Sequence, residues 1–255
     1  MGIRFGSSNP GNNLRVGTET VGGIAIGSEV AWRRFIPPPP VTLYTINRSN
    51  TSLYSLNSST GVARRIGSAR RFGVNERDPI DLEFHNGTLY MAGADSGALY
   101  TVGTSNGRAR RVGRGFGGAS PRGLASSGST LYMSASISSS DYLYTVNTSA
   151  GTAVTVGSLE GFGVGEEYPG FLGYHNGTLY MSGGSDNNIL YTLSTSTGRA
   201  TRVGSVTCVG LASDGNNLYG IDGNNIFILN TSTSSVTVTY LSVISVSGNF
   251  IGLAY

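Results

Sequence analysis

The sequence predicts an all-β fold built from repeated four-stranded units, and three observations predict it. One phrase recurs: His85-Asn86-Gly87-Thr88-Leu89-Tyr90-Met91 returns as His175-Asn176-Gly177-Thr178-Leu179-Tyr180-Met181. Each copy is followed by a Leu-Tyr-Thr phrase (99–101 and 190–192) and an Arg/Val run ending in glycine (109–113 and 200–204). The period of about 40–45 residues is that of a solenoid, propeller or array. Second, no segment shows helical periodicity over ten or more good helix formers. Third, the apolar phrases are separated by Asn-Gly or by Ser/Thr/Gly clusters, which take the positive φ of tight hairpins at low cost. Four-stranded units of this length, repeated about four to eight times, close into a β-propeller. A barrel or sandwich is the alternative, but neither requires a sequence repeat.

Within the unit, strand one is small and apolar: Gly123-Leu124-Ala125, Gly210-Leu211-Ala212 and Gly252-Leu253-Ala254-Tyr255. It is expected nearest the axis, where space for side chains is least. Strand two is the Leu-Tyr-Met phrase, strand three Leu143-Tyr144-Thr145-Val146 and its copies, strand four Ala153-Val154-Thr155-Val156 and its copies. Tyrosine occurs 14 times and tryptophan once. The tyrosines of strands two and three are expected between blades, where a ring buries a large area and its hydroxyl still reaches a polar edge.

Complete units start near Ile80, Arg122, Gly170 and Val209. Residues 43–67 supply only strands two, three and four, and 251–255 supply the missing strand one. Four intact blades and one split blade make five. The ring needs this closure because an open edge strand exposes unpaired backbone groups.

Residues 1–36 are not a propeller unit. They alternate short β-like phrases and are expected to form an N-terminal β docking segment. Four prolines at 37–40 favour polyproline II, a stiff spacer, and 41–255 form the propeller. Charged residues are only 12% and the net charge is +3, with every basic residue an arginine. That balance does not by itself argue for nucleic acid, and no nucleic-acid module or basic helix is visible. The lone Cys208 is expected as a buried small hydrophobe. No signal peptide or membrane span is read in the chain, so cytoplasmic synthesis without membrane insertion is expected. The Asn-x-Ser/Thr sequons are then turn chemistry.

Leu14-Arg15-Val16-Gly17, then Gly23-Ile24-Ala25-Ile26-Gly27-Ser28, then Val30-Ala31-Trp32 before the proline run resemble a short segment of tailed-bacteriophage virion proteins, where such phrases precede linkers and variable distal domains. The propeller repeats resemble bacterial and phage propellers more loosely, and the architecture is similar to that of tachylectin-like five-bladed lectins. The resemblance implies a structural virion protein of tail-fibre or decoration type, made in the host cytoplasm and present in multiple copies. It implies docking to other virion proteins through Leu14, Val16, Ile24, Ile26 and Trp32, and a propeller displayed towards a host-surface glycan. A free carbohydrate-binding lectin is the alternative; a glycan-cleaving enzyme is a third.

Chemistry is sparse. Loops from strand four to the next strand one share a phrase: Arg71-Phe72-Gly73-Val74, Gly115-Phe116-Gly117 and Gly161-Phe162-Gly163-Val164, each leading to a proline. The loop at 204–209 is short and lacks it. Phe72, Phe116 and Phe162, with Arg71, Arg77, Arg114 and Arg122, are the candidate ligand-binding residues; the alternative has the three phenylalanines tucked under as loop anchors. Arginines cluster at 64–77 and 108–122, fit to grip sulfated or phosphorylated glycans bidentately or to protect strand edges. His85 and His175 occupy equivalent turns on different blades and are read as repeat residues. Neither Asp78 with Asp81 nor Glu166 with Glu167 recurs as a pair across one cleft, as a glycosidase needs. No metal-ligand spacing is visible, and no catalytic residue, cofactor or metal is expected.

Overall fold

A computed structural model describes residues 14–16, 19–21, 39–67, 76–159, 169–183, 188–231 and 236–255. The chain divides into two compact units, Met1–Pro39 and Pro40–Tyr255. In the first, β1 (Leu14–Val16) pairs antiparallel with β2 (Glu19–Val21), Leu14 opposite Val21. Leu14 and Val16 of the expected docking set therefore lie on a strand; Ile24, Ile26 and Trp32 lie outside the described residues.

The second unit is a five-bladed β-propeller of four-stranded antiparallel sheets. Blade 1 holds β3 (Thr42–Asn47), β4 (Ser52–Asn57) and β5 (Ala63–Arg65). Blade 2 runs β6 (Pro79–His85), β7 (Thr88–Gly93), β8 (Ala98–Val102) and β9 (Ala109–Val112). Blade 3 runs β10 (Ser120–Ser126), β11 (Leu131–Ile137), β12 (Ser140–Asn147) and β13 (Thr152–Ser158). Blade 4 runs β14 (Pro169–His175), β15 (Thr178–Gly183), β16 (Ile189–Leu193) and β17 (Ala200–Ser205). Blade 5 runs β18 (Leu211–Ser213), β19 (Leu218–Asp222), β20 (Asn225–Asn230) and β21 (Thr237–Val243). The last strand, β22 (Phe250–Ala254), is the inner strand of blade 1. No helix occurs among the described residues, and none is long and apolar enough to cross a membrane.

Closure is built as the repeat requires. β22 pairs with β3, Ile251 opposite Ile46, and the Thr45 hydroxyl donates to the carbonyls of Ile251 (3.0 Å) and Gly252 (2.8 Å) across the bulge. The inner strands touch in the order β6, β10, β14, β18, β22, and β22 returns to β6. Asn86 and Gly87, and Asn176 and Gly177, all take positive φ, the two-residue hairpin geometry that Asn-Gly favours.

Each of five apolar clusters fills one junction between neighbouring blades. Tyr100 of blade 2 packs with Ile46 and Leu53 of blade 1, Tyr144 of blade 3 with Leu99 of blade 2 and Tyr191 of blade 4 with Leu143 of blade 3. Phe227 of blade 5 packs with Leu190 of blade 4, and Tyr54 of blade 1 with Phe250 and with Tyr219 of blade 5. The strand-three aromatic thus always faces the preceding blade. Burying one such side chain is worth about 1.5–3 kcal/mol.

Glycines close the outer rim. Gly67, after β5, lies so near Asn106 and Gly107 that a Cβ there would stand 2.1 Å from the Asn106 carbonyl oxygen. Gly113 meets Ala150 and Gly151 in the same way, and Gly157 meets Thr197 and Gly198. The end of each of these outer strands rests on the turn that opens the next blade's outer strand.

Candidate functional site

Propellers are often open along the central axis. Aligned on Leu82, Leu124, Leu172, Leu211 and Leu253, the preceding positions hold Asp81, Gly123, Phe171, Gly210 and Gly252. The glycines are required by space: a Cβ on Gly123 would meet the Leu172 nitrogen at 2.6 Å, and one on Gly210 the Leu253 nitrogen at 3.0 Å. Phe171 packs with Ile46, Ile80 and Ile251 of blades 1 and 2, although its own strand belongs to blade 4.

Asp81 is fully buried. Its Oδ1 accepts from the Leu82 N–H and its Oδ2 from the Leu124 N–H, both at 2.9 Å. Burial raises its carboxyl well above the usual range, against the lowering effect of hydrogen bonds from the amides of Leu124, Leu82, Leu253 and Leu172. One carboxyl thereby bonds the inner strands of blades 2 and 3 and lies close enough to those of blades 1 and 4 for their amides to act on it. Glu83, two residues on and on the same strand face, is raised by burial and then by the charge of Asp81, with the Ser126 and Phe84 amides opposing.

His85 and His175 repeat one structural role. The Nδ1 of His85 lies 2.9 Å from the Ser126 hydroxyl, that of His175 2.8 Å from the Ser213 hydroxyl, each on the next blade. The Nε2 of each meets the amide of the following asparagine. Burial lowers the pKa of both rings. They are inter-blade struts. Burial likewise pushes the Cys208 thiol up to about 12, the behaviour of an inert core residue.

The loop residues expected to bind ligand are dispersed. Arg71, Phe72 and Phe162 lie outside the described residues. Arg77 and Arg114 are exposed. Phe116 is buried in the junction of blades 2 and 3, and its N–H donates to the Gly97 carbonyl at 2.8 Å. That ring is a loop anchor and is not offered to a ligand, because the chain turns it under the loop at Gly115 and Gly117, both at positive φ. Arg122 is half-buried, and its charge acts on Asp141, which burial raises and which accepts from the Ser136 hydroxyl at 2.6 Å. Asp78 forms an ion pair with Arg48, so Asp78 and Asp81 are not a working pair. Among the described residues no group of three or more His, Cys, Asp or Glu could hold a metal.

A cleft of about 450 Å³ opens between blades 4 and 5. Its walls include Arg202 and Ser205 of β17, Thr207 of the short loop, Asp222 at the end of β19, and Phe227 and Tyr240 of blade 5. Tyr240 is 68% exposed and stands edge-on to the buried Phe227, ring centroids 5.8 Å apart. The Arg202 guanidinium is held along the strand by its bond to the Ser205 hydroxyl (3.0 Å). The register explains the aromatic wall: opposite the strand-three aromatic, the other blades carry Arg65, Arg111, Thr155 or Arg202, and blade 5 carries Tyr240. The short 204–209 loop lacks the Phe phrase and puts only Val206 at the position of Phe116, its N–H bonded to the Asn188 carbonyl. An exposed aromatic face with a few convergent polar groups is the make-up of a small-molecule site. Sequence reasoning missed this cleft; the short fourth loop was its signal.

No family model matches this chain, and no curated protein matches it. Among solved structures, a chain of the nidogen/laminin complex is similar to it, with a TM-score of 0.52 at 13% identity, covering 84% of this chain and 97% of that chain. That likeness shows the fold and nothing finer.

Proposed function

We propose that this protein is a non-catalytic attachment propeller of a phage particle, which binds a host-surface glycan in the cleft between blades 4 and 5. The cleft carries the reading: Tyr240 offers an apolar ring face to a pyranose, and Arg202, Asp222, Ser205 and Thr207 offer donors and acceptors to its hydroxyls. Asp81 and the two histidines are engaged in holding blades together, which supports binding over turnover. Placement on a particle rests on the resemblance of residues 14–36 to virion segments. A single shallow site binds weakly, and many copies on one particle raise the avidity.

The test is a glycan array and intact bacteria probed with the full chain presented multivalently. Wild-type protein binds a defined glycan, and Tyr240→Ala lowers binding about tenfold or more with an unchanged melting temperature. Silence of the wild type on both surfaces overturns the glycan reading. Absence of the chain from purified particles overturns the virion placement.

A further inference from the structure

The outer rim of blades 1 and 2 carries exposed Arg64, Arg65, Arg108, Arg110, Arg111 and Arg114. They lie on or beside the outermost strands of two adjacent blades, Arg65 and Arg111 on the face of the strand-three tyrosines and Arg64 and Arg110 on the other. β5 ends at the Gly67 contact with Asn106 and Gly107, and Arg108 follows directly into β9. The Nε of Arg65 donates to the Gly67 carbonyl at 2.9 Å, and Nη2 of Arg111 to the Arg114 carbonyl at 2.7 Å, so both guanidiniums lie along the rim. None of the six forms an ion pair with another described residue; the pair Arg48–Asp78 involves neither strand.

Edge protection alone does not explain this set. A charge of either sign discourages edge pairing, yet none of the five outer strands contains Asp or Glu. The described carboxylates sit elsewhere, several as buried acceptors, such as Glu76 and Asp81. The outer strands of blades 3 and 5 carry no charge at all and still end the sheets. A run of same-sign guanidiniums instead suits a chain of oxyanions, each held by a fork of N–H donors.

We infer that this arginine track binds an extended polysaccharide bearing repeated oxyanions. The inference rests on the propeller being an attachment module, but it uses a surface distinct from the Tyr240 cleft. A nucleic acid is the other polyanion. The track has no helix to enter a groove, and the large exposed aromatics among the described residues, Tyr240 and Tyr255, lie off it, so the stacking platform of a single-strand binder is missing.

The test measures binding of the full chain to dextran sulfate, to uncharged dextran and to double-stranded DNA across a salt series. One variant is Arg64→Gln/Arg110→Gln/Arg111→Gln. The other is Thr152→Glu/Val154→Glu/Thr237→Glu, which places the same change of net charge on the exposed rims of blades 3 and 5. Expected is dextran sulfate binding that weakens with salt, falls about tenfold or more in the arginine variant with a shallower salt slope, and changes less than about twofold in the glutamate variant. Equal losses in both variants, or no loss in the arginine variant, overturn the track. DNA bound more tightly than dextran sulfate overturns the polysaccharide. Failure of the wild-type chain to bind dextran sulfate, with the Tyr240→Ala phenotype on the glycan intact, strikes this inference and leaves the cleft reading standing.

Discussion

Gly113 and Gly151 stand against each other across the junction of blades 2 and 3. A Cβ on Gly151 would lie 3.2 Å from the Gly113 Cα and 1.9 Å from the Val112 carbonyl oxygen, and one on Gly113 would lie 1.6 Å from the Ala150 carbonyl oxygen. Both residues also hold positive φ, +61° and +63°. The spacing Gly-x-x-x-x-x-Gly in blades 1 to 4 (61–67, 107–113, 151–157, 198–204) therefore has a double cause. The first glycine makes the turn, and the second docks on the neighbour.

Gly113→Ala is expected to destabilise by clearly more than Gly117→Ala. Gly117 has φ +68° and nothing within 4 Å of its would-be Cβ. It therefore costs only the left-handed conformation, about 1–2 kcal/mol. Gly113→Ala adds a collision with backbone that cannot move without parting two blades. Thermal melts of the two variants check this, and equal melting temperatures would show that the rim contact does not hold the ring.

Asp81→Ala leaves the buried N–H groups of Leu82 and Leu124 without their acceptor. At about 1–3 kcal/mol each, the loss is about 2–6 kcal/mol. The pH dependence has a definite sign. The carboxyls of Asp81 and Glu83 are raised in the folded state, so their contribution is fully present below about pH 4 and is lost as pH rises through the raised values. His85 and His175, lowered by burial, act in the opposite sense, so the comparison is between variant and wild type. In urea titrations over a pH series, Glu83→Gln should show a shallower loss of stability with rising pH. Parallel profiles would mean that Glu83 is not desolvated as its position implies.

Deleting residues 250–255 should open the ring. β3 loses its partner, Thr45 loses both carbonyls, and the junction of blades 5 and 1 loses Phe250 and Leu253. A lowered melting temperature and association through the exposed β3 edge are expected in calorimetry and light scattering. A monomeric product with the wild-type melting temperature would refute closure by β22.

The repeats alone were enough for the fold class, the blade count and the split blade, because a strand period of two, Asn-Gly turns and a recurrent phrase are local signals. Sequence also placed the tyrosines between blades, since a large ring recurring at one register position must face one neighbour. Much of the site was not legible. Asp81 was legible only as half of an unrepeated pair with Asp78, and the convergence of inner strands made it the acceptor for amides of blades 2 and 3. For Phe116 the sequence left a displayed ring and a loop anchor both open, and the path of its loop decided for the anchor. The cleft at Tyr240 and the neighbouring arginines of blades 1 and 2 arise where residues about 40 apart in sequence are brought side by side as one blade packs on the next. Sequence carries the pattern along each strand, whereas contacts between blades depend on how far each strand turns before the next one packs against it.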